Sequence, residues 1–344
     1  MVKIAVLGAA HAHVDYVLGE LRRDDRRDFT LVGIQDADLA VAQRYAADFG
    51  VPAVECVEDL LSKNPDVVVI AGIYGSHGRD VVAALRVGAH VLADKPLCTS
   101  LEELDAIADA AAEARRTVSV MFEKRGYPET LAAAAVVNSG ELGEIVGVAG
   151  SGPHKLNRDQ RPAWFFQRAQ YGGILADLSV HDFDAALQFA PADTGMVQGA
   201  VSGLLEGAED FPRYGVATLV TPRTIITCEV SWLTPQASDV HGDYRLRLVG
   251  TEGSAEIFWA RGRVEVTTHK RGTRVLDLPP GRRPAQDALD AFAQGVTPPV
   301  DTAQSLTATR LALLAQASAD ENGRPHRWTR ANSTNSEIAR GKHP

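Results

Sequence analysis

Short apolar runs alternate with amphipathic segments over the first third of the chain. The runs predict strands at Lys3–Leu7, Phe29–Ile34, Val67–Ala71, His90–Ala93 and Thr117–Met121. The segments between them have helical spacing and predict helices at His13–Arg23, Asp38–Phe49, His77–Val87 and Ser100–Arg115. The strand runs are continuously apolar, which is typical of strands buried on both faces of a parallel sheet. The alternation therefore predicts right-handed βαβ units.

This rhythm changes after about residue 123. Helices are predicted at Pro128–Asn138 and Ser179–Phe189, and the chain from Val197 to Val275 then has the pattern of successive strands. Consecutive strands with short connections favour an antiparallel sheet. Two further helices are predicted at Ala285–Gln294 and Thr302–Ala319, and we expect the polar segment 329–344 to be disordered.

Composition narrows the classes of partner. The chain has 344 residues, too many for one small core, which favours two domains. It carries 44 acidic and 35 basic residues, a formal charge of −9, whereas a protein that binds nucleic acid needs a basic face. The three cysteines, Cys56, Cys98 and Cys228, are far apart, which argues against disulfides and zinc and for a reducing compartment.

The apolar runs do not predict a membrane segment. They are shorter than the roughly 20 residues that span a bilayer. The run that follows Lys3 is also too short for a signal peptide. We therefore expect a cytoplasmic protein whose partner is a small molecule, with neither nucleic acid nor a membrane among its partners.

The turn after the first predicted strand carries a degraded dinucleotide fingerprint. Gly8, Ala10 and His13 occupy the three glycine positions of G-x-G-x-x-G. Gly8 supplies the tight turn and Ala10 is small enough to admit a pyrophosphate, but His13 is too bulky for the usual approach of the helix. Taken alone, this pattern is also compatible with a generic strand–helix turn. Asp36 follows the second strand, where an acid binds the adenosine ribose and repels a 2′-phosphate, so NAD is favoured over NADP.

A segment around Lys95 is more specific. Gly88-Ala-His-Val-Leu-Ala-Asp-Lys-Pro-Leu97 resembles the G-K-H-V-L-x-E-K-P-L segment of the glucose-fructose oxidoreductase/inositol dehydrogenase (Gfo/Idh/MocA) family, with Asp94 in place of the usual Glu. Other stretches resemble the same family in order, at 64–70 with His77, 125–128, 139–144, 172–184 and 250–253. The likeness covers roughly residues 1–328.

This resemblance implies an α/β fold with two domains. Residues 1–122 would form a Rossmann domain with a doubly wound parallel sheet that binds a dinucleotide. Residues 123–328 would form an α+β domain with a large, mostly antiparallel sheet for substrate binding and oligomerisation, as a homodimer or homotetramer. The implied activity is NAD(P)-dependent hydride transfer at a secondary alcohol or ketone of a sugar, inositol or related polyol.

The resemblance also implies a catalytic group of Lys95, Asp177 and His181. His181 would be the acid/base, Lys95 would hydrogen-bond the reacting hydroxyl, and Asp177 would bind substrate and position His181. Two observations agree with these roles. Lys95 lies beyond a parallel strand, at the carboxyl end where such sheets bind ligands. Asp177 and His181 are four residues apart and would share one face of a helix.

The remaining candidates fall into a cofactor set and a substrate set. The cofactor set is Gly8, Ala10, His11, Asp36, Gly72, Tyr74, His77, Asp94, Lys95 and Pro96. The substrate set is Arg125, His154, Trp164, Asp177 and His181, with Arg161 as a further possible contact. No metal site is expected, since His11 and His13 are two apart and would not face each other on a helix. Asp182 and Asp184 are expected to be structural.

Two alternatives remain open on the same fold. The degraded glycine turn fits a non-catalytic protein that senses a nucleotide, because a fold does not fix a function. The complete set of Lys95, Asp177 and His181 argues against that, since a sensor needs no group for proton transfer. The second alternative is an imine or tetrapyrrole reductase of the same broad family.

Overall fold

The computed structural model describes residues 1–330. Thr329 still belongs to a strand, and the N–H of Arg330 donates to the carbonyl of Asp193. The disorder predicted for these first two residues of the polar segment is therefore wrong. Residues 331–344, the rest of that segment, lie outside the described residues.

The first sheet is parallel and has six strands in the order β3-β2-β1-β4-β5-β6. The strands are β1 (Val2–Leu7), β2 (Phe29–Gln35), β3 (Ala53–Val54), β4 (Val67–Ile70), β5 (His90–Ala93) and β6 (Val118–Val120). This is the Rossmann order, in which the direction of winding reverses between β1 and β4 and ligands bind at the carboxyl ends of the strands. Strand β3 was not predicted, because two residues are too few to produce an apolar run.

Five helices cover this sheet. They are α1 (Val14–Leu21), α2 (Leu39–Phe49), α3 (Val57–Leu61), α4 (Tyr74–Arg86) and α5 (Leu101–Ala114). Local sequence explains where they begin and end. Asp38 accepts the N–H of Ala40 at the start of α2, and Gly50 ends that helix at φ +62°. Ser100 likewise accepts the N–H of Glu103 at the start of α5.

The second sheet has nine strands in the order β14-β13-β12-β11-β7-β10-β9-β8-β15. These are β7 (Ile145–Pro153), β8 (Thr194–Leu205), β9 (Ala208–Val220), β10 (Ile225–Ser231), β11 (Arg245–Gly250), β12 (Gly253–Phe258), β13 (Arg263–Thr268), β14 (Arg271–Val275) and β15 (His326–Thr329). The pair β7–β10 is parallel and the other pairs are antiparallel. The predicted fold class is therefore confirmed.

The helices of the second half are α6 (Pro128–Asn138), α7 (Arg168–Tyr171), α8 (Val180–Phe189), α9 (Gln286–Gln294) and α10 (Thr302–Asp320). Helix α10 joins the two sheets. The hydroxyls of Thr302 and Ser305 accept the N–H groups of Val118 and Val120 on edge strand β6, and the hydroxyl of Ser318 accepts the N–H of Gly199 on β8. The two bonds to β6 occupy N–H groups that an open sheet edge would leave unpaired. Across residues 1–330, no helix combines the length and the hydropathy needed to cross a membrane.

Gly8 brings the turns after β1 and β4 into contact, and we expect its replacement to destabilise the fold. Its φ is +82°, and a Cβ there would lie 2.4 Å from the Cα of Gly72. Gly8→Ala should lower the free energy of unfolding by about 2–3 kcal/mol in urea denaturation. Gly50→Ala is the control, because Gly50 also has a positive φ but would place its Cβ in open space. Equal losses in the two variants would contradict the importance of the close approach.

Candidate active site

A cavity of about 180 Å³ lies where the carboxyl edge of the first sheet meets the second sheet. The loops after β1, β5 and β6 contribute side chains, as do the ends of β7 and β10 and the π-helical turn Leu175–Ser179 that leads into α8. Five of the ten histidines of the chain line this cavity. Its lining residues are His11, His13, Tyr16, Tyr74, Lys95, Glu123, Lys124, Tyr127, His154, Arg161, Asp177, Leu178, His181, Trp232, His241 and Tyr244.

Lys95 follows β5, as the sequence predicts, and forms a buried ion pair. Its Nζ lies 2.6 Å from Asp177 Oδ1 and 3.5 Å from the hydroxyl of Tyr74. Burial disfavours the charge, but the carboxylates of Asp177 and Asp94 outweigh burial and raise the pKa of Lys95 above its ordinary value. Lys95 is therefore a charged donor at neutral pH.

Asp177 and His181 both line the cavity, but the expected contact between them is replaced by others. Asp177 Oδ1 accepts from Lys95, which approaches from the first sheet and is the stronger partner for a buried carboxylate. The carboxylate within 4 Å of the His181 ring is that of Glu123, with Oε2 3.6 Å from Nδ1. The structure thus corrects the prediction that Asp177 positions His181 directly.

The protonation of His181 and Glu123 follows from their burial. Burial, together with the charges of Lys95 and Lys124, lowers the pKa of His181 well below its ordinary value, so the ring is neutral at neutral pH. Burial raises the pKa of Glu123 above its ordinary value. Within residues 1–330, neither His181 Nδ1 nor Glu123 Oε2 has a hydrogen-bond partner. A neutral ring of this kind can accept a proton at Nε2 while Nδ1 faces a carboxyl group.

Two departures from the family pattern come together in space. Asp94 is fully buried, and its two carboxylate oxygens lie 2.6 Å from His11 Nδ1 and 2.8 Å from His13 Nδ1. The histidines precede α1 rather than lying on it, so the helical argument that they would not face each other is wrong here. The shorter Asp in place of Glu meets the ring of His13, which stands at the third glycine position, and the ring of His11, which lies between the second and third glycine positions.

This cluster also bears on metal binding. Within residues 1–330, one group of side chains has its metal-ligand atoms close enough together to hold a metal ion. It consists of His11, His13 and Asp94. Their separations of 2.6 and 2.8 Å are those of hydrogen bonds. Burial lowers the pKa of His11 to about 4, and the two histidines hold the pKa of Asp94 well below its ordinary value despite burial. The cluster is therefore a carboxylate that accepts from imidazole N–H groups, which leaves the outer edges of the rings toward the cavity.

The turn after β1 fits the pyrophosphate of a dinucleotide. Gly8 and Gly72 approach so closely that no side chain fits between them. Among the described residues, the N–H groups of Ala10, Ala12 and His13 at the start of α1 have no hydrogen-bond acceptor. Free N–H groups at a helix N-terminus are the usual donors to phosphate oxygens.

Asp36 stands at the end of β2, where the sequence predicts a contact with ribose. It is buried and accepts the N–H of Ala9 at 2.6 Å and the N–H of Asp38 at 2.9 Å, one on each oxygen. Each carboxylate oxygen has a second lone pair, so Asp36 can order the turn and still accept from a hydroxyl.

Three other residues of the predicted cofactor set lie in the loops after β4 and β5 or at the start of α4. They are Tyr74, His77 and Pro96. Tyr74 lines the cavity. His77 is fully buried, with Nδ1 2.8 Å from the carbonyl of Pro96 and Nε2 3.1 Å from the carbonyl of Gly72. Both ring nitrogens face carbonyl oxygens, one in the loop after β4 and one in the loop after β5, so His77 connects these two loops.

The predicted substrate set divides in two. His154 and Arg161 line the cavity, together with Asp177 and His181. Trp164 packs against Tyr74 from behind, with ring centroids 5.1 Å apart, and does not reach the lining. Its apolar ring gains more by burial against this aromatic cluster than by facing the polar cavity.

Arg125 is also outside the lining, which corrects its predicted contact with substrate. It donates from Nε to Asp184 at 2.8 Å and from Nη2 to the other oxygen of the same carboxylate at 2.5 Å. Asp184 is buried, and a two-point pair is the strongest arrangement available to both groups. The structural role expected for Asp184 agrees with this pair.

Sequence reasoning missed about half of the lining. Glu123 and Lys124 follow β6 after Met121 and Phe122, so charged residues shortly after an apolar strand were a usable signal. Lys124 Nζ lies 2.8 Å from Asp182, which forms a second buried ion pair. The other missed residues give no such signal, because they come from helices and from loops of the second sheet. They are Tyr16, Tyr127, Leu178, Trp232, His241 and Tyr244.

Known families match both halves of the chain. Residues 2–122 match the family described as "Oxidoreductase family, NAD-binding Rossmann fold", and residues 130–256 match the "GFO/IDH/MocA C-terminal domain". The residues in the turn after β1, at Asp36 and at Lys95 all lie within the first match. The cofactor that this domain binds is therefore NAD.

Individual proteins of known name or structure are also similar to this chain. D-glucoside 3-dehydrogenase of Escherichia coli (strain K12) is 28% identical over 54% of this chain and 53% of its own length. The scyllo-inositol 2-dehydrogenase (NAD(+)) of Bacillus subtilis (strain 168) is 28% identical over 65% of each chain. The chain thus spans between about half and two thirds of these curated relatives. A putative oxidoreductase from Thermotoga maritima superposes with a TM-score of 0.85 at 26% identity, over 94% of this chain and 99% of that one.

Proposed function

We propose, from the premise that the chain belongs to the Gfo/Idh/MocA family of oxidoreductases, that it transfers a hydride between nicotinamide and a secondary alcohol or ketone. The substrate class is a sugar, inositol or related polyol. The observation that carries the proposal is the cavity itself, in which charged Lys95, its partner Asp177 and neutral His181 converge beside the dinucleotide turn. The relatives that act on a glucoside and on an inositol support the same class.

In the proposed mechanism the protein binds and deprotonates the hydroxyl. Bound NAD supplies the hydride acceptor. Lys95 donates a hydrogen bond to the substrate oxygen and stabilises the charge that develops there. Asp177 keeps that ammonium group in place and accepts from a neighbouring hydroxyl of the substrate. Neutral His181 takes the proton at Nε2, in the role that a positioned base plays in such reactions.

The proposal is tested by cofactor binding followed by turnover. Thermal shift with NAD(H) and NADP(H) should show stabilisation, stronger with NAD(H) because Asp36 repels a 2′-phosphate. A panel of sugars, inositols and their keto forms is then followed by nicotinamide absorbance. Tight binding of NAD(H) without turnover on any member would favour the sensor alternative. Turnover confined to imines or tetrapyrroles would favour the reductase alternative.

Replacing Glu123 is expected to weaken proton transfer without removing it. Its carboxylate would stabilise the charged ring of His181, but the 3.6 Å separation is longer than a hydrogen bond. A carboxylate that hydrogen-bonds a histidine base is worth up to about 10⁴ in rate, and we expect a loss of only about tenfold in kcat for Glu123→Gln. Because the pKa of Glu123 is raised, the wild type loses its carboxylate form as pH falls, and kcat should fall with it. The Glu123→Gln variant should lack this contribution to the loss of kcat at low pH.

The control for this prediction is Glu129→Gln. Burial also raises the pKa of Glu129, but this residue lies on α6 outside the cavity. Its variant should keep the wild-type rate and pH profile. An unchanged acid limb in Glu123→Gln would remove Glu123 from the mechanism.

We also propose that two or four copies assemble through the open face of the second sheet. Neighbouring strands place Met196, Val220, Ile225 and Val249 in one cross-strand row, in register through Gly147. All four side chains are exposed, from 37% to 52%. An exposed apolar row of this kind is typical of an interface. Light scattering should show a dimer or tetramer that Ile225→Glu dissociates, and a monomeric wild type would refute the assembly.

We assign the two halves the tasks expected from the sequence, cofactor binding by residues 1–122 and substrate binding by residues 123–328. Side chains on both sides of this division line the cavity, which supports that assignment.

We place the protein in the cytoplasm, and its three unpaired cysteines suit a reducing compartment.

A further inference from the structure

Arg161 is held in the cavity wall with most of its donors unused. Its Nε donates to the carbonyl of Leu156 at 3.2 Å. Its guanidinium carbon lies 4.4 Å from the centre of the Phe165 ring and 5.0 Å from that of Trp232. Arginine has five N–H donors. Within residues 1–330, the four on Nη1 and Nη2 of Arg161 donate to no protein atom.

The other two cations of the cavity are already neutralised. Lys95 is paired with Asp177 at 2.6 Å, and Lys124 is paired with Asp182 at 2.8 Å. Among the residues that the structure describes, no carboxylate lies within 4.0 Å of Arg161. Arg161 is half-buried, and the rings of Phe165 and Trp232 cover part of its guanidinium and hold it at the cavity wall. Arg161 is thus a fixed positive charge with an open position in front of it.

The surroundings of Arg161 suit an anion. His154 and His241 line the same part of the cavity, and burial lowers the pKa of both below the ordinary value, so they are neutral. Neither neutral imidazole adds negative charge. The single N–H of His154 is used at the carbonyl of Gly152, which lies 2.9 Å from Nδ1, so His241 is the ring that can offer an N–H to an anion. The carboxylate of Asp177 carries its own cation, and Glu123, the other carboxylate in the lining, lies more than 4.0 Å from the guanidinium of Arg161.

We propose that Arg161 forms a subsite for a carboxylate group of the substrate, so that the preferred substrates are sugar acids such as uronates. The planar guanidinium matches a carboxylate through two parallel hydrogen bonds, whereas a single hydroxyl can use only part of it. The assignment deepens the proposed function and rests on it for the sugar-like body of the ligand. A phosphate group shares the negative charge and is distinguished by the test below.

Direct binding tests the subsite without requiring turnover. Dissociation constants are measured by calorimetry on the NADH-bound protein for matched pairs, D-glucuronate with D-glucose and D-galacturonate with D-galactose. D-glucose 6-phosphate is included for the phosphate. We expect at least one uronate to bind about 10- to 100-fold more tightly than its neutral partner, the range of a hydrogen-bonded charge pair. A tighter fit for the phosphate than for both uronates would overturn the carboxylate assignment.

Matched variants locate the effect. Arg161→Gln should remove the preference for uronates, and Arg161→Lys should keep part of it. Arg158→Gln should leave it unchanged, because Arg158 is exposed, lies outside the cavity and donates to the carbonyl of Glu206. Thermal unfolding checks that all three variants remain folded. Equal affinity for acids and neutral sugars in the wild type, no binding of any uronate, or a preference that survives in Arg161→Gln would each refute the subsite.

The result separates this inference from the proposed function. Selective binding of uronates without any change in nicotinamide absorbance would leave the subsite standing and the oxidoreductase activity refuted. Turnover of neutral polyols by a protein that binds acids and neutral sugars equally well would support the oxidoreductase activity and refute the subsite.

Discussion

A Lys95→Met variant is expected to fold and to bind NAD(H) but to lose turnover by roughly 10²- to 10³-fold, the range for removing a donor that stabilises charge on the reacting oxygen. Methionine keeps most of the length of lysine without the charge. The variant therefore removes the donor that holds the substrate oxygen and leaves the cavity filled. Steady-state kinetics on the substrate found in the panel measures the loss, and Lys270→Met, a change at an exposed lysine, is the control.

The same variant also leaves Asp177 buried without a partner, so its stability must be separated from its activity. Removing one member of a buried ion pair costs about 3–5 kcal/mol, because the other charge stays buried and unpaired. The double variant Lys95→Met/Asp177→Asn should recover much of that stability while remaining inactive. Recovery of activity together with stability would show that Lys95 has only a structural role.

Lys95→Met should further move the acid limb of the residual activity to higher pH. The charge of Lys95 lowers the pKa of both His181 and Glu123. Without that charge both pKa values rise, so each group becomes protonated at a higher pH than in the wild type. A titration of the His181 ring by NMR checks the direction, and an unmoved or lowered midpoint would contradict it.

His181→Asn is the second substitution for which we expect a large effect, with kcat lower by about 10²-fold or more because the base is removed. Asparagine is smaller and polar, so the cavity should keep its shape and NAD(H) binding should be unchanged. The remaining activity should rise with pH, since hydroxide then replaces the protein base. The wild type differs, because the low pKa of His181 keeps its ring neutral and active across neutral pH.

His269→Asn is the matched control, since His269 is exposed and outside the cavity. It should retain the wild-type kcat and pH profile. A His181→Asn variant with wild-type turnover would remove the proposed base, and equal losses in both variants would point to an effect on folding. Loss of NAD(H) binding together with turnover would instead place His181 in the cofactor site.

Much of the fold followed from local patterns. Continuously apolar runs marked five of the six strands of the first sheet, and the helices predicted at Asp38–Phe49 and Ser100–Arg115 lie within one residue of those in the structure at each end. Strand β3 was missed because two residues are too few to show a period, and the first turn of α4 was missed because Tyr74-Gly-Ser76 has no apolar repeat. The resemblance around Lys95 supplied the family before any contact was known.

The partners of the site residues could not be read in the same way. Lys95 and Asp177 are 82 positions apart, and His11 and Asp94 are 83 apart. Periodicity reports which face of its own element a residue occupies. It carries no information about which distant element packs against that face. For that reason Asp177 was assigned to His181, its near neighbour in sequence, although Lys95 is its partner in the structure.

The sequence by itself determined the buried parallel strands, the position of Lys95 at the carboxyl end of one of them, and the acid at the end of β2. Each of these depends on a few consecutive residues. Only the tertiary structure decided that Glu123 faces His181, that two histidines share Asp94, and that Arg161 has no carboxylate partner within the described chain. Those properties are set by distance and burial across packed elements, because charge and proton affinity depend on the groups that surround an atom in space.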